Sequence, residues 1–160
     1  MKFKIKPIDQ QDACCIATWQ YEPPYAVYSL SEVDIPVLLD PDNRYFAVQD
    51  EYGRTIGYCC FGQEGRVPGG LYIDTESLVL DVGVGMDPGL VGRGFGRNFV
   101  ETILRFGAEE YQPVKLRVSI AEFNKRSQRT FMNLGFIETF SFNRDGDGKR
   151  FVQLERELDR

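Results

Sequence analysis

The sequence predicts a mixed α+β domain built on a mostly antiparallel sheet that contains one parallel strand–helix–strand pair. Three observations carry this. A long amphipathic stretch over 93–111 lies between two apolar runs, 77–86 and 114–121, the pattern of a crossover that joins two parallel strands. Two further pairs of apolar runs flank compact turns, Asp50-Glu51-Tyr52-Gly53 and Asp145-Gly146-Asp147-Gly148, as antiparallel hairpins do. No repeat, low-complexity tract or composition break divides the chain, so residues 1–160 read as one domain. The expected order is β-α-α-β-β-β-α-β-α-β-β.

Taken in order, residues 2–7 alternate Lys2, Lys4 and Lys6 with Phe3, Ile5 and Pro7, a half-exposed strand. Asp9 with Asp12 three residues on is a helix-capping pair, and Ala13, Ile16 and Ala17 supply the apolar face. Pro23 and Pro24 stop that helix. Ser31 caps a second short helix, whose regular part begins at Asp34 because Pro36 tolerates only its first turn. Strands follow over 44–49, 55–61 and 77–86, then a helix from Arg93 to Tyr111 with Phe95, Phe99, Val100, Ile103, Leu104 and Phe106 as its stripe. Residues 114–121 are a strand. Residues 124–134 form a helix that turns Phe131 and Leu134 inward and stops at Gly135. Runs 136–143 and 150–155 close the chain as a hairpin.

Composition excludes several functions. The chain has no histidine, so His-ligated zinc sites and Ser-His-Asp or Cys-His nucleophile systems are impossible. With 19 basic against 24 acidic residues the net charge is -5, which argues against nucleic acid as a partner. No apolar run is long enough for a membrane span, and the lysine-rich start has no export core, so a cytoplasmic protein with no membrane partner is expected. The pairs Cys14-Cys15 and Cys59-Cys60 lack metal or redox spacing and read as small core residues; no metal is expected.

Chemistry concentrates between Leu80 and Phe99, LDVGVGMDPGLVGRGFGRNF. Gly92, Gly94 and Gly96 alternate where a helix opens. Glycine there lets the backbone approach a ligand and exposes N–H groups at the positive helix end, a pyrophosphate cradle with Arg93 and Arg97 beside it. A plain tight turn is the alternative. The spacing fits neither a dinucleotide GxGxxG, which would need glycine at Arg97, nor a P-loop.

Met86-Asp87-Pro88 followed by Gly94-Phe95-Gly96 resembles motif A of the GNAT superfamily of acetyl-CoA-dependent N-acetyltransferases. The run from Asn124 through Ser127 and Phe131 to Gly135-Phe136 is similar to that family's motif B. The element order agrees over nearly the whole chain. The resemblance implies a GNAT-like fold and acetyl-CoA as cosubstrate. It implies that the backbone of Val84, Gly85 and Met86 pairs with the pantetheine arm, and that the amides of Val91, Gly92, Arg93, Gly94, Phe95, Gly96 and Arg97 hold the pyrophosphate. Asn124, Ser127 and Phe131 would meet the cofactor from the other side, where two parallel strands splay. An N–H near Val84 would stabilise the acyl oxyanion.

Departures from the family pattern matter. Val91 stands where a side-chain phosphate contact is usual, and Phe131 stands where a tyrosine often acts as general acid; the thiolate is left to be protonated by solvent or by another group such as Tyr58 or Tyr28. Asp81 faces away from Leu80, Val82, Val84 and Met86, on the side of Gly83 and Gly85. A carboxylate there is either a general base for the amine or half of an internal ion pair. Trp19, Tyr21, Tyr25 and Tyr28 either wall an acceptor pocket or pack on the sheet; Glu64, in a loop beside the same cleft, is a further substrate-site residue and, with Glu22, a secondary candidate base.

The expected activity is acetyl transfer to a primary amine by direct attack. The acceptor is a small molecule or a protein N-terminus, and the enzyme a monomer or homodimer. An acyl-CoA-binding module with little catalysis and a nucleotide-phosphate-binding protein are the alternatives.

Overall fold

The computed structural model describes residues 2–73 and 78–159. Its strands are β1 (Lys4–Pro7), β2 (Tyr45–Gln49), β3 (Thr55–Phe61), β4 (Val79–Met86), β5 (Lys115–Ala121), β6 (Ile137–Asn143) and β7 (Arg150–Glu157). The helices are α1 (Gln10–Ala17), α2 (Ile35–Leu39), α3 (Gly96–Tyr111) and α4 (Lys125–Asn133). The strand order is β1-β2-β3-β4-β5-β7-β6, a seven-stranded mixed sheet in which β4 and β5 are parallel. This is the expected architecture.

The chain packs as two compact units, Met1–Cys60 with Val84–Ile103 and Phe61–Gly83 with Leu104–Arg160. In the first, β1, β2 and β3 pair antiparallel. Asp9 caps α1 by accepting from the Asp12 N–H, and Asp12 returns the bond, as the spacing predicts. The same Asp12 is buried, and its carboxylate also accepts from Lys6 and from the Thr55 hydroxyl, which ties α1 to β1 and β3. Ala13, Ile16, Trp19 and Leu38 make one buried cluster of this unit, with Tyr45 and Tyr58 packed against it. Ser31 caps a 3-10 turn, Glu32–Asp34, and α2 begins at Ile35 with Pro36 in its first turn.

In the second unit β5 pairs antiparallel with β7, and β7 with β6. Phe61 packs against Phe106 and Tyr111, and Gly107 makes room, since a Cβ there would lie 2.6 Å from the Phe61 ring. The β4–β5 register is Val79↔Lys115, Leu80↔Leu116 and Asp81↔Arg117.

Three expectations change. Helix α3 starts at Gly96, not Arg93, because Gly92 and Gly94 adopt φ of +79° and +87°, outside the helical region; the first helical bond is Phe99 N–H to Phe95 C=O. Cys59 and Cys60 are buried as expected, but Cys14 is exposed because it lies off the Ala13–Ile16 face of α1. Leu134 is only half-buried as the C-cap of α4, while Phe131 is buried. The expected strand start at Ser77 lies outside the described residues.

Candidate active site

The glycine turn and the C-terminal half of β4 belong to one unit. Strand β4 is buried over Leu80, Asp81 and Val82, then half-exposed from Gly83 through Met86. Asp87-Pro88-Gly89 turns the chain: the Asp87 carboxylate accepts from the Gly89 N–H at 2.9 Å and its carbonyl from the Leu90 N–H. The positive φ of Gly92 and Gly94 then lifts the backbone out of helical geometry. A Cβ built on Gly94 meets nothing within 4 Å, so the turn is open on that side. Helix α3 follows with sixteen residues and no acidic side chain in its first turn, leaving its positive end uncompensated. Arg93 and Arg97 are exposed, and Arg97 pairs with Glu101 at 3.2 Å. These residues fit an anionic pyrophosphate.

Aromatic side chains crowd the same strand. The Tyr21 hydroxyl donates to the Met86 carbonyl at 2.5 Å. Tyr58 stacks on Trp19 at 6.3 Å and lies across Gly85, where a Cβ would come within 2.3 Å of its ring and 2.7 Å of its hydroxyl oxygen. Gly85 is therefore glycine because a ring occupies its side-chain space. Burial pushes both phenols well above their ordinary acidity range. The Asp87 carboxylate adds to the effect at Tyr21, and Tyr21, Cys60 and Asp34 add to it at Tyr58. Trp19 is buried in the core, whereas Tyr25 and Tyr28 are half-buried in the 3-10 turn Tyr25–Tyr28.

Asp81 lies in the other unit, buried to 2% exposure. Arg117 grips both of its oxygens and the Arg66 Nε reaches Oδ2 at 2.9 Å. Both guanidinium groups lie over the Tyr72 ring, at 4.8 Å for Arg117 and 5.3 Å for Arg66. The Tyr72 hydroxyl bonds Ser119 and accepts from the Val67 N–H, while Gln153 exchanges two hydrogen bonds with the Leu71 backbone. Of the two roles the sequence left open for Asp81, this is the ion pair. The sequence reading missed Arg66, Arg117, Tyr72 and Gln153. The available signal was Arg117, a charge set between Leu116 and Val118 in the strand. Glu64 is exposed in the 3-10 turn Gln63–Gly65.

Asn124 caps α4, its side-chain oxygen accepting from the Ser127 N–H at 3.1 Å. Ser127 is half-buried; Phe131 is buried and packs edge-on against Phe136 at 5.2 Å. Among the described residues, no group of His, Cys, Asp and Glu could hold a metal, and no helix is long and apolar enough to cross a membrane.

Residues 10–137 match the family model described as the acetyltransferase (GNAT) domain. No curated protein matches the sequence significantly. Solved structures share the fold. The aminoglycoside acetyltransferase AAC(6')-Ib in complex with coenzyme A is 16% identical with a TM-score of 0.76, covering 98% of this chain and 95% of that one. The protein yncA of Salmonella typhimurium, with its cofactor acetyl-CoA, is 20% identical with a TM-score of 0.70, covering 98% and 94%. A spermidine N-acetyltransferase SpeG chimera from Vibrio cholerae and hSSAT is 16% identical with a TM-score of 0.70, covering 98% and 96%. With the family model matching most of its length, and with both of its motifs on the expected strand, turn and helix, the chain belongs to the GNAT acetyltransferase family and is an acyltransferase.

Proposed function

We propose that this enzyme transfers the acetyl group of acetyl-CoA to the primary amine of a small molecule. The observation that carries the reading is the cradle. An open, doubly positive-φ glycine turn leads into an uncompensated helix terminus directly after a half-exposed strand. The amides from Val91 to Arg97 hold the pyrophosphate, with Arg93 and Arg97 offering charge. Val84, Gly85 and Met86 hold the pantetheine arm; because Tyr21 occupies the Met86 carbonyl, the ladder relies on the remaining groups of this stretch. Asn124 and Ser127, taken as cofactor contacts from the resemblance, are joined by the α4 cap, where the Asn124 oxygen accepts from the Ser127 N–H.

Catalysis is direct. The neutral amine nitrogen bonds to the carbonyl carbon, the carbon–sulfur bond breaks, and the ammonium proton passes to water rather than to Asp81, whose oxygens are held by Arg117 and Arg66. The Val84 N–H is the backbone contact for the developing oxyanion. Placement of two reactants supplies most of the acceleration. Neighbours of the same fold named for spermidine and aminoglycosides support a small polyamine or amino-sugar acceptor; Tyr21, Tyr25 and Tyr28 are the ring faces that would meet a cationic chain.

Acetyl-CoA is expected to raise the melting temperature in a concentration-dependent way, with NAD and ATP doing much less. Thiol release should then follow with at least one amine in a panel of polyamines, aminoglycosides, amino-acid amides and a peptide N-terminus. Binding without thiol release would reduce the chain to an acyl-CoA-binding module; equal shifts from all three nucleotides would remove the assignment.

A further inference from the structure

We propose that the Tyr58 hydroxyl is a catalytic hydrogen-bond donor to the carbonyl oxygen of the acetyl thioester. The inference rests on the acetyl-CoA reading above and adds a residue that neither motif contains.

Two phenol hydroxyls gather at the half-exposed end of β4. The Tyr21 hydroxyl is committed, donating to the Met86 carbonyl. The Tyr58 hydroxyl makes no hydrogen bond among the described residues. No buried side-chain oxygen or nitrogen among them lacks a partner, so this hydroxyl keeps a small exposure at its tip although the side chain is largely buried and its ring is packed. A donor that is anchored by its ring and open at its tip is arranged to meet a ligand rather than the protein.

Its position specifies which part of the ligand. The oxygen lies 2.7 Å from where a Gly85 Cβ would stand, and Gly85 sits between Val84 and Met86, the stretch assigned to the acyl end of the arm. Trp19 stacked on one side and Tyr45 tilted against the ring at 6.3 Å fix the direction of the O–H bond's carrier. Such preorganisation is what makes a donor effective toward developing charge.

The chemistry also selects a donor over an acid. Burial holds the phenol proton more tightly than in water. As the amine nitrogen bonds to the carbonyl carbon, the carbonyl electron pair moves onto oxygen and Tyr58 stabilises that charge by hydrogen bonding. The pair returns, the carbon–sulfur bond breaks, and the thiolate takes its proton from water. The Tyr58 proton stays on its own oxygen throughout.

Tyr58→Phe keeps the ring on Trp19 and Gly85 and removes only the donor. The first readout is the infrared carbonyl band of acetyl-CoA labelled with 13C at the acetyl carbonyl, bound without amine. The band is expected at lower wavenumber on the parent enzyme than on Tyr58→Phe, because a hydrogen bond weakens the C=O bond. The second is turnover: kcat should fall by roughly 10²–10³-fold, the usual effect of one oxyanion donor, with acetyl-CoA affinity and melting temperature nearly unchanged. An identical band in both proteins would overturn the role of Tyr58 while leaving the transferase reading standing. Failure of the parent to bind acetyl-CoA would overturn that reading first, and the donor role with it. A lowered melting temperature with an unmoved band would assign Tyr58 to packing alone.

Discussion

Arg117 stands directly opposite Asp81 across the parallel strand pair and holds both carboxylate oxygens, Nε to Oδ1 at 2.6 Å and Nη2 to Oδ2 at 2.8 Å. Such a two-pronged contact fixes the guanidinium plane, and that plane lies over the Tyr72 ring. Arg66 completes the cluster from the loop before β4 and lies over the same ring. A buried aspartate thereby ties a glycine- and proline-rich loop to the sheet.

Replacing Asp81 with asparagine leaves Arg117 buried without its counter-charge. The expected loss of stability is about 3–5 kcal/mol, the usual effect of removing one partner of a buried pair, read from urea unfolding. Turnover per folded molecule should stay within a few-fold. A stable variant with kcat lowered roughly 10²–10⁴-fold would instead make Asp81 the general base.

Gly85→Ala places a methyl group where the Tyr58 ring already is. Overpacking of this kind costs about 1–3 kcal/mol. The displaced ring should also cost activity, so both melting temperature and kcat are expected to fall. An alanine variant with parental stability and rate would show that the ring yields freely.

Gly94→Glu meets no steric obstacle, since a Cβ there has nothing within 4 Å, although the φ of +87° adds strain. The variant should therefore stay folded. Its carboxylate would stand in the anion cradle, so acetyl-CoA binding should be lost. Calorimetry on the folded variant checks this, and unchanged affinity would place the pyrophosphate elsewhere.

Phe131→Tyr tests the residue that stands where the family often has an acid. Phe131 is 1% exposed and packed against Phe136, so an added hydroxyl would be buried. Without a partner it should cost about 1–3 kcal/mol. Lower stability with no gain in rate is the expected result. A rate increase at unchanged stability would show that the new hydroxyl reaches the reacting thioester.

Tyr58 also predicts a pH dependence. Burial, then Tyr21, Cys60 and Asp34, raise its folded-state pKa. The unfolded chain therefore releases this proton first, near the ordinary phenol value of about 10. The contribution to stability is complete below that pH and is lost as pH rises above it. Urea midpoints of the parent should fall more steeply above pH ~10 than those of Tyr58→Phe. Equal slopes would mean that Tyr58 titrates as a free phenol.

Local grammar settled much of this protein. The Asp9–Asp12 capping pair, the proline stops, the hairpin turns and the helical stripe of α3 act between near neighbours, so the sequence alone specified the element order and both family motifs. The start of α3 slipped because the φ of Gly92 and Gly94 depends on how the whole turn closes, and glycine permits either sign. What only the tertiary structure decided are relationships between residues far apart in the chain. Asp81 met Arg117 through strand register, Tyr21 reached the Met86 carbonyl across 65 positions, and Tyr58 took the space beside Gly85. A carboxylate or phenol has the same formula whether it ends in an ion pair, on a carbonyl or open to a ligand. Its neighbours choose among those roles, and those neighbours exist only once the sheet has formed.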